Sequence, residues 1–353
     1  MTILQNEDIF KIGNGIIKTH DLLPIGTYHI QEDHNGELYL VEREDLKADC
    51  KIYGDYADKA PIVYKTYLNY PKSMGVLLCG ANGTGKTLFA KKLCELAKNY
   101  QMPVILVDRQ FDGLTAFIDS IKQEAVVLFD EFDKTMVTQT FRGSECDPKL
   151  LSLLDGTSMN KKLFIFTVNN SKVIGEHLIN RPNRLHYKFN FTIPSISEIN
   201  EYLCDSIDKE KQTVIPEILE IAVRIPLNYD ALRAIAFEIN HGNDLNDSLY
   251  DLNINYSDTL IYDVEVFLSN DFNTLTNNNV EIDFYAKTAQ FFTSYDYGNE
   301  QYRVCINLQN AYTDIESETL IIPKEDINVF NTSSSKRYPT VKYAQLKLKK
   351  QTK

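Results

Sequence analysis

Apolar runs alternate with helical periodicities through the middle of the chain. The runs "GVLLCG", "PVILVD", "AVVLFDE" and "KLFIFTV" are almost continuously apolar, as is typical of strands that are buried on both faces. Segments such as "GLTAFIDSI" and "KLLSLLDG" lie between these runs and repeat apolar residues at helical spacing. Strands of this kind separated by helices predict an α/β fold, with a parallel sheet covered by helices on both faces.

The flanking regions have different patterns. Near the start, "GTYHIQED" and "ELYLVER" alternate around Asn35-Gly36 and predict a small β element ahead of the main sheet. Residues 56–70 and 195–245 have helical spacing. Beyond residue 249, segments such as "TLIYDVEVFL" and "QYRVCINL" alternate apolar and polar positions, which predicts an antiparallel β domain. The apolar face predicted for the first helix consists of Ala60, Val63, Tyr64, Tyr67 and Leu68.

The lysine-rich end of the chain, "KYAQLKLKKQTK", has two interpretations. Its charges can protect a solvated edge strand from aggregation, which is the interpretation we favour. Alternatively, they can contact an acidic partner.

Composition narrows the classes of protein. A length of 353 residues predicts two or three domains. The net charge of −12 disfavours a protein whose whole surface binds nucleic acid, but it allows a local basic groove. The cysteines form no CxxC pair and the histidines no HExxH motif, so we expect a reducing, cytoplasmic setting without zinc or disulfides. The sequence also predicts no signal peptide and no membrane association.

The segment "GANGTGKT" fits the pattern GxxxxGK[ST], follows a predicted strand and opens a predicted helix. Such a loop surrounds phosphate with backbone N–H groups, Lys86 can reach the β- and γ-phosphates, and Thr87 can offer its hydroxyl to Mg²⁺. A chance match in a glycine-rich turn is the alternative, which the strand and helix disfavour. The residues predicted to bind the nucleotide here are Gly80, Ala81, Asn82, Gly83, Thr84, Gly85, Lys86, Thr87 and Leu88.

Two adjacent acids follow the apolar run "AVVLF". Asp130 ends the predicted strand, where its carboxylate can hold the magnesium shell together with Thr87. Glu131 can polarise a water molecule for attack on the γ-phosphate. The alternative is that the two acids cap the helix that begins with "EFDK".

Taken together, "GVLLCGANGTGKT", "VVLFDEFDK", "LLSLLDG", "FTVNN" and "NRPNR" resemble the AAA clade of AAA+ ATPases in order and spacing, over about residues 50–240. The compact layout is also similar to ATPases encoded by large tailed phages, and the core is similar to the mitochondrial Bcs1-like branch, although it lacks that branch's transmembrane segment. The resemblance implies a parallel AAA+ sheet with a helical lid. We therefore expect a β element over residues 1–50, an ATPase domain over 51–194, a lid over 195–248 and a β domain over 249–353.

The resemblance also assigns roles in hydrolysis. Asn169 is similar to the polar sensor that orients the attacking water, with Asn170 as a substitute and a capped turn as the structural alternative. Arg181 and Arg184 resemble the arginine fingers that enter the nucleotide site of a neighbouring subunit; the alternative is a pair of solvated surface arginines. Asn183 stands where the family usually has glycine, so the sequence leaves open which arginine is the finger.

Other roles implied by the resemblance concern the nucleotide base and the substrate. Arg233 is a candidate second sensor in the lid, or part of an ordinary salt bridge. Ile52 and Tyr53 are candidates for the wall of the adenine site, or for the core. Phe111 and Gly113 fit an aromatic-x-Gly loop that contacts a polypeptide in the pore of a ring, unless Phe111 packs inward.

The function implied is Mg²⁺-dependent ATP hydrolysis by a homo-oligomeric ring, expected to be a hexamer, coupled to remodelling or unfolding of a protein client. A DNA-handling AAA+ ATPase such as a clamp or helicase loader is the first alternative, which Asp112 in the candidate pore loop disfavours. A nucleotide-gated scaffold without turnover is the second. The expected location is the cytoplasm, or the host cytoplasm if the protein is viral.

Overall fold

A computed structural model describes residues 2–6, 9–13, 18–140, 143–146, 160–170, 185–254, 260–269, 274–283, 288–294, 301–332 and 341–349. The chain forms two compact units. The first unit consists of Met1–Cys50, Asp58–Cys79 and Thr87–Phe189, and the second of Lys51–Ala57, Gly80–Lys86 and Asn190–Lys353.

The described helices and strands follow the predicted alternation in the first half of the chain and become entirely β after residue 260. The helices are α1 (Lys59–Asn69), α2 (Lys86–Ala97), α3 (Leu114–Ser120), α4 (Phe132–Thr135), α5 (Ile196–Ser206), α6 (Ile215–Arg224), α7 (Tyr229–Asn240) and α8 (Leu245–Asp251). The strands are β1 (Thr2–Asn6), β2 (Ile9–Gly13), β3 (Thr27–Glu32), β4 (Leu38–Arg43), β5 (Met74–Gly80), β6 (Val104–Val107), β7 (Ala125–Phe129), β8 (Val137–Thr140), β9 (Gly143–Cys146), β10 (Lys162–Val168), β11 (Leu185–Phe191), β12 (Leu260–Leu268), β13 (Thr274–Ile282), β14 (Thr288–Ser294), β15 (Gln301–Asn307), β16 (Tyr312–Asp314), β17 (Thr319–Pro323), β18 (Ile327–Asn331) and β19 (Val341–Leu348).

The central sheet has seven strands in the order β11-β5-β10-β7-β6-β3-β4. The pairs β5–β10, β10–β7, β7–β6 and β6–β3 are parallel. Every residue of β5, β7 and β10 is buried, which explains why their sequences are continuously apolar. The α/β fold with a parallel sheet is therefore as predicted.

The N-terminal hairpin differs from the prediction of an element ahead of the sheet. Strand β3 pairs in parallel with β6, and β4 pairs with β3 in the antiparallel sense, so the hairpin extends the central sheet. Its turn is held by Asp33, whose Oδ1 accepts from the backbone N–H groups of Asn35 and Glu37 at 2.8 and 3.0 Å. Burial of Tyr28 and Ile30 explains why the hairpin joins the sheet, because these side chains are removed from water only when they pack in the core.

The first helix, α1, was predicted from five apolar positions. Four of them are buried, namely Ala60, Val63, Tyr64 and Tyr67, whereas Leu68 is 50% exposed. Tyr64 donates its hydroxyl hydrogen to the carbonyl of Leu93 on α2, which satisfies a polar group that would otherwise be buried without a partner.

The eight-stranded C-terminal sheet has the order β16-β17-β19-β12-β13-β14-β15-β18, and its described pairs are antiparallel. Tyr262, Val264, Val266 and Leu268 of β12 face its core, as the alternation predicts. The lysine-rich strand β19 is not an edge strand, because it pairs with β12 on one side and β17 on the other. Lys342 and Lys347 of this strand are exposed while Ala344 and Leu346 are buried, so the charges face solvent although both backbone edges are paired.

The lid helices α5 to α8 bury a shared apolar core and begin at well-formed caps. Ser195 and Glu198 form a capping box at α5, while Asn228 and Asp244 cap α7 and α8. Hydrogen bonds connect this lid to the C-terminal sheet within the second unit. Ile196 N–H donates to Glu318 Oε1 at 3.1 Å, and Arg224 Nε donates to Thr313 Oγ1 at 3.3 Å. The hydroxyl of Tyr262 on β12 donates to the carbonyl oxygen of Arg224.

None of the helices in the described part of the chain is long and apolar enough to cross a membrane.

Candidate active site

The predicted phosphate loop connects β5 to α2, and its glycines are required by space and backbone angle. A Cβ at Gly80 would lie 2.1 Å from the carbonyl oxygen of Phe191. Gly83 has a φ of 72°, and a Cβ there would lie 2.7 Å from side-chain atoms of both Asn228 and Asp230. Neither position can therefore take a larger residue without rearrangement.

Lys86, the first residue of α2, is only 6% exposed. Its Nζ donates to the carbonyl oxygen of Ala81 at 2.7 Å, and Thr84 Oγ1 donates to the same oxygen at 2.8 Å. The loop thus carries a positive charge close to the N-terminus of a twelve-residue helix, whose backbone dipole also favours anions. This donor set fits a phosphate group.

Two lid residues that sequence reasoning missed donate hydrogen bonds to backbone carbonyls of the loop. Tyr229 N–H donates to the carbonyl of Gly83 at 2.9 Å. Asn228 donates from Nδ2 to the carbonyl of Asn82 at 3.2 Å, while its Oδ1 accepts from Ala231 N–H at 2.8 Å as the cap of α7. The available sequence signal was an asparagine directly before an apolar helical run, which predicts a cap but not its second contact.

Tyr53 belongs to an aromatic cluster in the second unit, and Ile52 beside it is half-buried. The Tyr53 ring stacks on Tyr229 with centroids 6.0 Å apart and meets the edge of Tyr202 at 5.4 Å. Its hydroxyl donates to Asp205 Oδ2 at 3.1 Å, and burial together with this bond raises the pKa of Tyr53 to about 12. Tyr229 also lies beside the loop, 4.0 Å from a Cβ placed at Gly85. The cluster provides aromatic surface, which fits the predicted base wall.

Arg233 lies on α7, where its side chain is exposed. It lines a surface cavity with Asp230 and Glu238 but forms no ion pair with any residue that the structure describes. The salt-bridge alternative is therefore not observed within the described ranges, and the sensor role stays a prediction.

In the first unit, the ends of β7 and β10 are joined through side chains. Thr167 Oγ1 donates to Asp130 Oδ1 at 2.6 Å and accepts from the backbone N–H of Glu131 at 2.8 Å. Asp133 Oδ2 accepts from the backbone N–H groups of Asn169 and Asn170 at 3.0 and 3.1 Å. Sequence reasoning missed both joining residues, Thr167 and Asp133.

Glu131 has the left-handed backbone angles φ 49° and ψ 45° and stands at the cap position of α4, but its side chain makes no capping bond. The helix-cap alternative therefore does not describe this side chain. Its carboxylate is about half exposed and lies 2.5 Å from Lys134 Nζ. This contact raises the pKa of Lys134 above its ordinary value. The carboxylate can thus reach water while the backbone beneath it is held in place.

Asn169 follows β10, and its Nδ2 is buried without a hydrogen-bond partner among the described residues. An amide donor left in this state is suited to a bound water or phosphate oxygen. Thr87 is exposed on the first turn of α2. The described residues include no cluster of three or more His, Cys, Asp or Glu side chains suited to a metal. A Mg²⁺ ion held by Thr87 and Asp130 would therefore take its other ligands from phosphate and water, as this ion commonly does.

The predicted pore loop is only partly at the surface. Phe111 is 6% exposed and packs in the same core cluster as Ile105 and Leu114, with the guanidinium carbon of Arg109 4.7 Å from its ring centroid. This burial favours the inward-packing alternative, because a buried ring cannot grip a polypeptide. Gly113 is exposed at the start of α3, and a Cβ there would meet open space.

The predicted fingers Arg181 and Arg184 lie outside the described residues, as does the helix predicted at "KLLSLLDG". Their roles stay predictions.

Along the chain, the buried strand β5 is followed by the predicted phosphate loop and α2, and then, after β6 and α3, by β7, which the two acids follow. Residues 76–193 match the ATPase family associated with various cellular activities (AAA). This AAA segment contains β5, the loop, α2 and both joined strand ends. The finer resemblance to phage ATPases or to the Bcs1-like branch stays a prediction.

Two curated relatives are similar to part of this chain. An ATPase family AAA domain-containing protein of Arabidopsis thaliana is 27% identical over an alignment of 164 residues, and the match covers 41% of this chain and 14% of that protein. The protein mac-1 of Caenorhabditis elegans is 26% identical over an alignment of 162 residues, and the match covers 42% of this chain and 20% of that protein. The similarity thus spans a fifth or less of each relative's length.

Proposed function

We propose that this protein hydrolyses ATP with Mg²⁺ as cofactor. The observation that carries the proposal is the buried Lys86 at the start of α2, preceded by a loop in which Gly83 and Gly85 have positive φ angles. A loop of this kind binds phosphate through backbone N–H groups, the lysine and the helix dipole. The AAA match over residues 76–193 supports the same activity.

The residues would divide the work in the following way. Lys86 would bind the β- and γ-phosphates, and the aromatic cluster around Tyr53 would pack against the base. Thr87 and Asp130 would hold Mg²⁺, which neutralises the charge that develops on the transferred phosphoryl group. Glu131 would polarise the attacking water, and the Asn169 amide would orient it.

The assembly and its work are further parts of the proposal. Arg181 or Arg184 would enter the nucleotide site of the next subunit, so that the active form is a homo-oligomeric ring, with a hexamer as the expected size. Fingers of this type raise the rate by about 10³ to 10⁵, which would make an isolated subunit a poor enzyme. Hydrolysis in the ring would be coupled to remodelling or unfolding a protein client, selected by the parts outside the AAA segment.

Nucleotide binding is tested by the Lys86→Ala variant. We expect it to lose ATP binding, measured by titration with a fluorescent ATP analogue, because the loop loses its positive charge. Lys92→Ala is the matched control, since Lys92 lies on the same helix and pairs with Glu95. Equal affinities of the Lys86→Ala and wild-type proteins would contradict the proposed phosphate site.

Hydrolysis is tested by the Glu131→Gln variant. We expect ATP binding to persist and phosphate release to fall at least about a hundredfold, because an amide cannot accept a proton from water. Glu95→Gln serves as the control for an acid removed from the same unit. An unchanged rate in Glu131→Gln would show that Glu131 is not the base.

The client is identified with the same Glu131→Gln variant, purified from its native cells with ATP and Mg²⁺. We expect a discrete protein to remain bound with ATP and to leave with ADP. Nuclease-sensitive nucleic acid in its place would contradict protein remodelling and indicate a DNA-handling ATPase.

A further inference from the structure

Thr167, near the carboxyl end of β10, carries a hydroxyl group. The other residues of this strand after Lys162 are apolar. Thr167 is 1% exposed, so its hydroxyl must find partners inside the protein. Both partners belong to the acid pair after β7: the Asp130 carboxylate at 2.6 Å and the Glu131 backbone N–H at 2.8 Å. We infer that Thr167 is a positioning residue for hydrolysis, which aligns both acids at once. This inference rests on the proposed function.

The backbone pairing of the two strands stops just before these residues. The parallel register of β7 and β10 ends at Phe129 and Phe166. Beyond that point the two strands no longer pair through their backbones, and the next hydrogen bond is the one that the Thr167 hydroxyl accepts from Glu131 N–H. Without this hydroxyl, Asp130 and Glu131 themselves would lose their direct hydrogen bonds to the neighbouring strand.

The strained backbone of Glu131 makes this attachment important. A non-glycine residue rarely adopts the left-handed region and persists there only where its surroundings hold it. The bond from Glu131 N–H to Thr167 Oγ1 is such a constraint. It fixes the backbone position from which the Glu131 side chain extends, and therefore the volume that its carboxylate can reach.

The same hydroxyl orients the carboxylate of Asp130. Its hydrogen is donated to Oδ1, and among the described residues this is the hydrogen bond that the carboxylate makes. The rotation of the carboxylate is thereby restricted, with Oδ2 left for the water shell of a metal. One hydroxyl therefore sets the direction of the metal-binding acid and the position of the general base.

Asp133 extends the arrangement to the sensor. Its Oδ2 receives the N–H groups of Asn169 and Asn170, two and three residues after Thr167. The two strand ends are thus joined in both directions, from β10 to the acids and from α4 back to the sensor. A change at Thr167 should consequently affect chemistry more than nucleotide binding.

The test compares Thr167→Val, which has nearly the same shape without the hydroxyl, with Thr167→Ser, which retains it. We expect Thr167→Val to bind the fluorescent ATP analogue as the wild type does, but to show a kcat about 10- to 100-fold lower and a higher Mg²⁺ requirement. Thr167→Ser should recover kcat to within about threefold of the wild type. The control is Ser73→Ala, which removes the buried hydroxyl that accepts from Lys162 N–H at the opposite end of β10.

A second readout does not depend on turnover. Hydrogen exchange of the Glu131 amide should accelerate in Thr167→Val and stay slow in Thr167→Ser. Unchanged exchange, or a wild-type kcat in Thr167→Val, would overturn the inference, as would an equal loss of kcat in Ser73→Ala. If the wild-type protein itself shows no ATPase activity, the proposed function fails, and the exchange data still decide whether Thr167 holds Glu131.

Discussion

At the scale of single residues, Lys162 shows how the fold tolerates a buried amino group. It is 2% exposed, and Nζ donates to the carbonyl oxygens of Ile121 and Asn160 at 2.8 and 3.3 Å. Burial lowers its pKa from the ordinary 10.5 to about 8, against the opposing influence of Asp119 and Glu124. Between these two values the unfolded chain binds more protons than the folded chain, so this group makes the protein more stable as the pH rises.

The prediction concerns the slope of stability against pH. From pH 8 to 9.5, the wild-type free energy of unfolding should increase relative to Lys162→Met by about 1 kcal/mol per pH unit. The window stops at pH 9.5 because closer to 10.5 the unfolded chain also loses the lysine proton, and the difference in proton binding disappears. Urea unfolding at several pH values measures the difference. Parallel pH profiles for the two proteins would show that Lys162 keeps its ordinary pKa.

Residue patterns predicted the acids and the loop, but not the groups that hold them. Asp130 and Glu131 were recognisable because two acids directly after an apolar strand are uncommon and fit a known chemical role. Thr167 was not, since a threonine is an ordinary strand residue and its partners lie 36 or 37 positions away. Phe111 shows the opposite problem, because the aromatic-x-Gly pattern says nothing about the direction in which the ring points.

At the scale of helices and strands, Asn228 joins the cap of α7 to the phosphate loop. Its two side-chain atoms have separate partners, Ala231 N–H for the helix and the Asn82 carbonyl for the loop. Serine can replace the first contact, because serine is as good a cap as asparagine. Its side chain is too short to replace the second.

We expect Asn228→Ser to keep the melting temperature and to weaken ATP binding about threefold to tenfold, since a released Asn82 peptide group can turn its carbonyl toward the phosphates. Asn228→Ala should also lose about 1 kcal/mol of stability through the missing cap. Calorimetry and nucleotide titration measure the two effects. Asp244→Ser, at the cap of α8, is the control and should not change affinity. Wild-type ATP affinity in Asn228→Ser would mean that the loop does not need this contact.

Periodicity predicted whether a segment is a helix or a strand, but it did not predict which strands pair with one another. The alternation in "KYAQLKLK" correctly indicates a strand, yet the same alternation suits an edge or a centre, and β19 lies between two strands. The hairpin β3–β4 was similarly recognised, while its pairing with β6 depends on contacts more than 70 residues apart. Local sequence does not encode such distant pairings.

At the scale of the whole molecule, the proposed ring predicts complementation between two inactive variants. Arg184→Ala keeps its own phosphate loop, and Lys86→Ala keeps its finger, so a mixed ring would contain some complete sites. We expect the mixture to recover part of the wild-type ATPase rate. Arg233→Ala mixed with Lys86→Ala is the control and should recover none, because Arg233 is predicted to act within its own chain. Absence of recovery with Arg184→Ala would contradict a finger supplied by the neighbour.

The sequence predicts candidate site residues but says less about the larger arrangement. The motifs are short and chemically constrained, and so they are readable without a structure. The proposed choice of a client would depend on surfaces of the flanking regions, where many sequences can form the same strands.

The hydrogen bonds between the lid and the C-terminal sheet have a mechanical consequence. Glu318 holds the first turn of α5, while Thr313 and Tyr262 hold the last residue of α6. Because the contacts lie on two helices, the sheet cannot swivel freely about any one of them. A small rotation of the lid helices would therefore carry the sheet with it.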